Sequence, residues 1–363
     1  MKYFSSNTSF PLESGEKLPA LTIAYTAHGQ LNEERSNVIW ICHALTANAD
    51  PFEWWEDLIG EGKLFDPVDY YIVCANMLGS CYGSSGAASI NPATGKPYRD
   101  TFPLITIRDM VKAHQLLADH LGIQTIHLIM GGSMGGQQAL EWSIIEPQRF
   151  EKVCLLATNA SHSPWGIAFN EAQRMAIEAD LQHDSESEHA GQKGLQAARA
   201  IAMLSYRHYD TFKNTQLDPE ANKLENFRAS SYQRYQGKKL SDRFDVFSYL
   251  TLSKAMDSHN VGRGRKSITN ALKQVRAHVL IIGISSDVLF PIEEQQLMAQ
   301  HIPNAQFEVI DSEYGHDGFL VEYESISKVV EPFLRGKLQT SSTKIVALQR
   351  QNGRAAIPGS ERF

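Results

Sequence analysis

One segment limits the fold of this chain more than any other: Leu128-Ile129-Met130-Gly131-Gly132-Ser133-Met134-Gly135-Gly136-Gln137-Gln138-Ala139-Leu140. An apolar run passes through a Gly-x-Ser-x-Gly step into a run of helix formers. A strand that turns this abruptly into a helix forces its serine into a strained backbone and brings strand and helix too close for side chains, which is why small residues flank it. The turn exposes the serine hydroxyl above the sheet and aims a helix N-terminus at it, favouring negative charge on an attacked carbonyl. Gly-x-Ser-x-Gly alone is a weak signal, since glycine and serine are common in turns. The apolar strand before it and the helix after it argue against a plain flexible loop.

The rest of the chain supports a sheet of this kind. Val38–Cys42, Tyr71–Ala75, Ile126–Met130 and Val153–Ala157 are short, continuous apolar runs, as expected for strands buried on both faces of a parallel sheet. Between the second and third, Ile107, Met110, Val111, Ala118 and Leu121 share one helical face, and Gly122 stops that helix. From His162 to about Val275 the rhythm breaks into helices and loops. It resumes with a strand at Val279–Ile284, a helix at Pro291–Gln300, a strand at Phe307–Ile310 and a helix at Val321–Leu334. The expectation is an α/β-hydrolase fold, a mostly parallel doubly wound sheet with a helical lid insertion. Residues 1–161 and 276–336 form the core, 162–275 the lid and 337–363 a polar C-terminal tail.

Composition narrows the function. The 363 residues are 42% hydrophobic and 21% charged with a formal net charge of -7, which does not point to nucleic acid as a partner. No run of about 18 apolar residues suggests a membrane span, and the first residues lack a signal-peptide core. Cys42, Cys74, Cys81 and Cys154 form no CxxC pair and the histidines show no ligand spacing, so reduced thiols, a cytoplasmic setting and no metal are expected.

A serine hydroxyl needs a histidine to take its proton, and this fold orders its triad as Ser, then acid, then His, the last two each after a late strand. Asp287 follows Ile281–Ile284 and His316 follows Phe307–Ile310, completing Ser133–Asp287–His316. Asp311 is the rival acid but sits in the same loop as His316. His43 precedes the serine and reads as shaping the oxyanion region, while His114, His120 and His127 read as structural. The oxyanion hole is expected from the backbone N–H groups of Met134 and Leu45.

Several stretches together resemble the homoserine O-acetyltransferase family. They are His43–Thr46, Asn76–Ser84, Ser89–Tyr98, Phe102–Met110, Gly131–Gly136, Val261–Arg265 and Tyr314–Asp317. The resemblance spans the chain up to about Leu334, with two departures: Ala87 where the family usually has proline, and Asn260 where it often has aspartate. It implies acetyl transfer from acetyl-coenzyme A, a co-substrate rather than a cofactor, to homoserine by a ping-pong route in the methionine pathway. It also implies a homodimer built through the insertion, and substrate-binding roles for Arg199, Tyr206 and Asp317. No basic residue stands in or beside Gly131–Gly136 or His43–Asn48 in sequence, which leaves only the insertion to supply one, and acetyl rather than succinyl is the expected donor group. The triad is equally compatible with a succinyltransferase, an esterase or a thioesterase, and a scaffold relative would have no need to keep all three members.

Overall fold

The structure is a computed structural model that describes residues 1–182, 187, 189–336 and 344–346. The main sheet holds β1 (Lys2–Ser6), β4 (Leu21–His28), β5 (Val38–Cys42), β6 (Tyr71–Ala75), β7 (Ile126–Gly132), β8 (Phe150–Leu156), β9 (His278–Ile284), β10 (Ala305–Ile310) and β11 (Lys344–Val346). A small separate hairpin pairs β2 (Phe10–Pro11) with β3 (Lys17–Leu18). The order across the main sheet is β1-β4-β6-β5-β7-β8-β9-β10-β11. Every pairing from β6 onward is parallel, and β1 and β4 make the antiparallel edge. Of the expected tail, only Lys344–Val346 is described, as a short strand beside β10; the remainder of 337–363 lies outside the described residues.

The central strands are apolar on both faces because both are covered. On one face, Trp40, Val73, Ile129, Val153 and Ile281 pack with Leu140 and Trp142 of the nucleophile helix. On the other, Ile39, Ile41, Leu128, Met130, Leu156 and Ile282 pack with Trp55, Ile326 and Phe333. Side chains alternate across a strand, so a run with no polar position is what a doubly covered sheet demands. The Ile107–His120 helix starts at a reciprocal cap, in which Thr106 accepts from the Asp109 N–H and the Asp109 carboxylate accepts from the Thr106 N–H.

The chain leaves the core after β8 and returns before β9 through a narrow stem. Ser161 bridges Asn260, flanked by His162 N–H to His259 O at 3.0 Å and Val261 N–H to Ala160 O at 2.9 Å. Between lie the helices Pro164–Leu181, Gln192–Tyr206, Tyr209–Gln216, Arg228–Ser241 and Val246–Asp257. The returning Val261–Arg265 stretch is clamped to the core. Buried Glu141, on the nucleophile helix, accepts from Arg108 Nε at 2.8 Å and from Arg265 Nη2 at 2.6 Å. Glu13 binds Arg108 and Arg263 alongside it at 2.7 and 2.8 Å. Burial opposes the Glu13 charge, but Arg263, Thr106 and Arg108 outweigh it and lower its pKa to about 2.

His114 lies in the core between Trp40 and Trp142, at ring separations of 5.8 and 5.9 Å, with both ring nitrogens unpartnered among the described residues. Burial lowers its pKa to about 3, so the folded protein keeps it neutral. The unfolded chain protonates it below about 6.5, and stability is therefore lost as pH falls from about 6.5 toward 3. His114→Met removes two unpaired polar atoms and this proton linkage. It is expected to stabilise the protein, and by about 2 kcal/mol more at pH 5 than at pH 7.5, measured by urea denaturation. An equal gain at both pH values would show that His114 does not carry the linkage.

Candidate active site

Ser133 sits at the end of β7 with φ 56° and ψ −127°, a conformation that only strong surrounding constraint holds for a non-glycine residue. That constraint is close backbone packing. A Cβ on Gly135 would lie 2.1 Å from the Cys42 carbonyl oxygen, and one on Gly131 would lie 2.4 Å from the Gly135 backbone. The turn is pinned by Ser133 N–H to Leu156 O at 3.0 Å and by the Thr158 hydroxyl to Ser133 O at 2.7 Å. The Met134–Ile145 helix begins at the next residue.

Asp287 and His316 come from the loops after β9 and β10. His316 Nδ1 donates to Asp287 Oδ2 at 2.6 Å, which leaves Nε2 as the acceptor. Asp287 Oδ1 accepts the N–H groups of Leu289 and Phe290 at 2.8 and 2.9 Å, so its carboxylate is fixed at both oxygens. Both residues are buried, and the Phe290 ring stacks on the His316 imidazole with a centroid separation of 4.9 Å. The rival Asp311 is occupied elsewhere, accepting from the Ser285 hydroxyl at 2.9 Å.

The loop after β5 carries the other expected oxyanion donor. Met77 N–H donates to His43 Nε2 at 3.1 Å and His43 Nδ1 lies 2.8 Å from Ala44 O, which assigns the proton to Nδ1. Burial lowers the His43 pKa to about 4, so it stays the neutral brace this loop needs. Among the described residues, no protein acceptor takes up the N–H of Leu45 or of Met134. The basic residue absent beside this loop in sequence arrives in space from the insertion. Arg243, from the insertion, donates to Thr46 O at 2.7 Å.

The three residues assigned to substrate binding by resemblance gather beside the base. The Arg199 guanidinium lies over the Tyr206 ring at 5.2 Å, and that ring lies 5.7 Å from the His316 ring. Arg199 is only 4% exposed, yet among the described residues it has no carboxylate or hydrogen-bond partner. Burial raises the Tyr206 pKa against the opposing pull of Arg199, keeping the phenol protonated. Asp317 is not a free carboxylate. Its Oδ2 lies 2.8 Å from Arg207 Nε, an ion pair without hydrogen-bond alignment, with both side chains buried. Sequence reasoning missed Arg207 and Arg243. Arg207 adjoins Tyr206, but nothing in the spacing shows it facing Asp317 across 110 residues, and Arg243 lies far from Thr46 in sequence.

No group of three or more metal-type side chains occurs among the described residues. All four cysteines are free, three of them buried. No described helix is long and apolar enough to cross a membrane.

Comparison with known proteins agrees with this geometry. The family model described as alpha/beta hydrolase fold matches residues 37–323. Homoserine O-acetyltransferase of Cyclobacterium marinum is 49% identical, over 91% of this chain and 94% of its own. That of Chlorobaculum tepidum is 45% identical, over 92% and 94%. Among solved structures, homoserine O-acetyltransferase from Bacillus anthracis superposes with a TM-score of 0.86 at 26% identity, covering 92% of this chain and 96% of that one. The acetyl esterase MekB superposes at 0.81 with 25% identity, covering 92% and 95%. With a strained serine above a parallel sheet, an Asp–His pair on the following loops and this degree of identity along the chain, the protein belongs to the homoserine O-acetyltransferase family of α/β hydrolases.

Proposed function

We propose that the protein moves an acetyl group from acetyl-coenzyme A to the side-chain hydroxyl of L-homoserine through an acetyl-Ser133 intermediate. The observation that carries this reading is buried Arg199, which has no countercharge among the described residues and lies on the face of Tyr206, which itself faces the His316 ring. A buried guanidinium without a countercharge is costly, and an amino-acid carboxylate would relieve that cost with two parallel hydrogen bonds. The names of the curated relatives support acetyl transfer to homoserine.

In the first half-reaction His316 Nε2 takes the Ser133 proton as Oγ bonds to the thioester carbonyl carbon. The Leu45 and Met134 N–H groups hold the oxyanion. The C–S bond then breaks, and His316 returns the proton to the leaving thiolate. In the second, His316 takes the homoserine hydroxyl proton as that oxygen bonds to the acetyl carbon, the bond from that carbon to Ser133 Oγ breaks, and His316 returns the proton to Oγ. Asp287 holds the imidazole tautomer and stabilises its cation throughout. Acetyl-coenzyme A is a co-substrate, no cofactor is required, and the reaction fits methionine biosynthesis in the cytoplasm. The insertion, whose surface exposes Leu204, Tyr209 and Leu217, is the expected homodimer face.

Arg243 bears on the acyl group. Both hydrogens of its Nη1 are committed to neutral oxygens, Thr46 O and the Tyr82 hydroxyl, so that nitrogen is not available to a succinyl carboxylate. Its Nε and Nη2 have no acceptor among the described residues, so the acetyl donor rests on the names of the curated relatives, with succinyl-coenzyme A as the comparison. A second reading, ester hydrolysis, is favoured by the likeness to an acetyl esterase, and it differs only in water replacing homoserine in the second half-reaction.

Intact-protein mass spectrometry after mixing with acetyl-coenzyme A alone is expected to show one acetyl group per chain, absent in Ser133→Ala. Acetylation of Ser133→Ala would identify another nucleophile. Arg199→Ala is expected to acetylate normally but to transfer to homoserine about a hundredfold more slowly, as on the order of 3 kcal/mol of charged hydrogen bonding is lost. Equal loss in both half-reactions would make Arg199 structural. Asp317→Asn is expected to slow the second half-reaction and also to lower Tm, because it strands the buried Arg207 charge. An unchanged Tm would show that this ion pair contributes nothing to stability.

A further inference from the structure

Arg243 lies in the insertion, between the Arg228–Ser241 and Val246–Asp257 helices, yet its two hydrogen-bond acceptors are both in the core. Nη1 donates to Thr46 O at 2.7 Å and to the Tyr82 hydroxyl at 2.6 Å. Among the described residues it has no carboxylate within ion-pair distance. A half-buried guanidinium held on neutral oxygens gives up electrostatic stability, which directs attention to what those oxygens control.

Thr46 O belongs to the peptide plane that ends in the Ala47 N–H. That N–H donates to Ala44 O at 3.1 Å, closing a turn over Leu45 and Thr46. Ala44 O in turn belongs to the plane that ends in the Leu45 N–H. In a trans peptide the C=O and N–H point in opposite directions, so fixing one end of a plane fixes the other. The order is therefore Arg243 N–H to Thr46 O, Ala47 N–H to Ala44 O, and then the Leu45 N–H pointing onward with no protein acceptor among the described residues. His43 braces the same Ala44 oxygen from the core side. Hydrogen bonds aligned in series polarise one another, and a cation at the donor end strengthens each donor down the line.

We infer that Arg243 is a positioning residue for the oxyanion hole, orienting and polarising the Leu45 N–H through two peptide planes. Seating of the insertion and assembly of the hole are thereby one event, because the cation that completes the relay comes from the insertion. The inference rests on the reading of Ser133 as the nucleophile and Leu45 as an oxyanion donor. It goes beyond that reading by assigning a remote arginine to both half-reactions, since each passes through an oxyanion.

The test uses p-nitrophenyl acetate, which acylates a reactive serine without coenzyme A or homoserine, and follows p-nitrophenolate release in a stopped-flow burst. Arg243→Met is expected to slow the burst and acetylation by acetyl-coenzyme A alike, by about ten- to a hundredfold, less than the loss of a whole oxyanion donor. KM for homoserine should stay within about twofold, because the amino-acid site is untouched. Arg243→Lys, which keeps a charged donor for Thr46 O, should recover much of the rate, and Tyr82→Phe, which leaves the relay intact, should remain close to wild type. Should Arg243→Met fail to fold, Arg243→Gln replaces it beside Arg243→Lys, comparing a neutral with a charged donor at one position. A folded Arg243→Met that acylates as fast as wild type overturns the inference, as does a lysine variant no faster than the methionine or glutamine one. A wild-type protein that gives no burst and no acetyl-Ser133 would instead remove the underlying reading of the site.

Discussion

The contact of Gly135 with the end of β5 governs the geometry of the whole site. Where a Cβ would stand 2.1 Å from the Cys42 carbonyl oxygen, strand and helix backbones meet directly. That approach holds Ser133 at a positive φ and starts the nucleophile helix one residue later. It also places the loop continuing from β5, with Ala44, Leu45 and Thr46, beside the same turn. Nucleophile, helix N-terminus and second oxyanion donor are thus fixed by one packing constraint, with His43 as a neutral brace between the loop and Met77.

Beside the active site, Arg199, Arg207 and Arg243 of the insertion stand in three different electrostatic states. Arg207 is neutralised by Asp317, Arg243 is held on two neutral oxygens, and Arg199 rests on the Tyr206 ring with no countercharge among the described residues. The differences match different tasks. A paired arginine fixes the residue next to the catalytic base. One bonded to carbonyl and hydroxyl oxygens can orient a loop. An unpaired one is left to receive an anion, and its charge is least costly when a substrate carboxylate fills the gap. The stem at Ser161–Asn260 and the Glu13–Arg108–Glu141–Arg263–Arg265 cluster anchor the insertion to the nucleophile helix, so these side chains arrive on a fixed frame.

Much of this was legible in the sequence because it is local. The runs that became β5, β6, β7, β8 and β9 are largely apolar, β10 followed from the resumed strand–helix rhythm, and the glycines around Ser133 could serve little else than a close turn. Asp287 and His316 followed from the chain order that the fold imposes. The edge strand Lys2–Ser6 escaped notice because it is partly exposed and polar, and Leu21–His28 because Thr22, Thr26 and His28 interrupt its apolar run. Arg243 and the Asp317–Arg207 pair escaped because their partners are 197 and 110 residues away, and no periodicity encodes such a contact. The resemblance to a family supplied Arg199, Tyr206 and Asp317, and the structure adds that two of them touch and that the third is already paired.

The central claim is that homoserine, not water, resolves an acetyl-Ser133 enzyme. Its most direct test is a single-turnover chase. Wild-type protein is acetylated with acetyl-coenzyme A, freed of excess donor and mixed with increasing homoserine, while the acetyl-enzyme is followed by mass spectrometry. The account predicts decay that accelerates with homoserine concentration, saturates, and yields O-acetylhomoserine in step with loss of acetyl-enzyme. Decay at one rate whatever the homoserine concentration, with acetate as the product, would contradict it and make the protein an esterase.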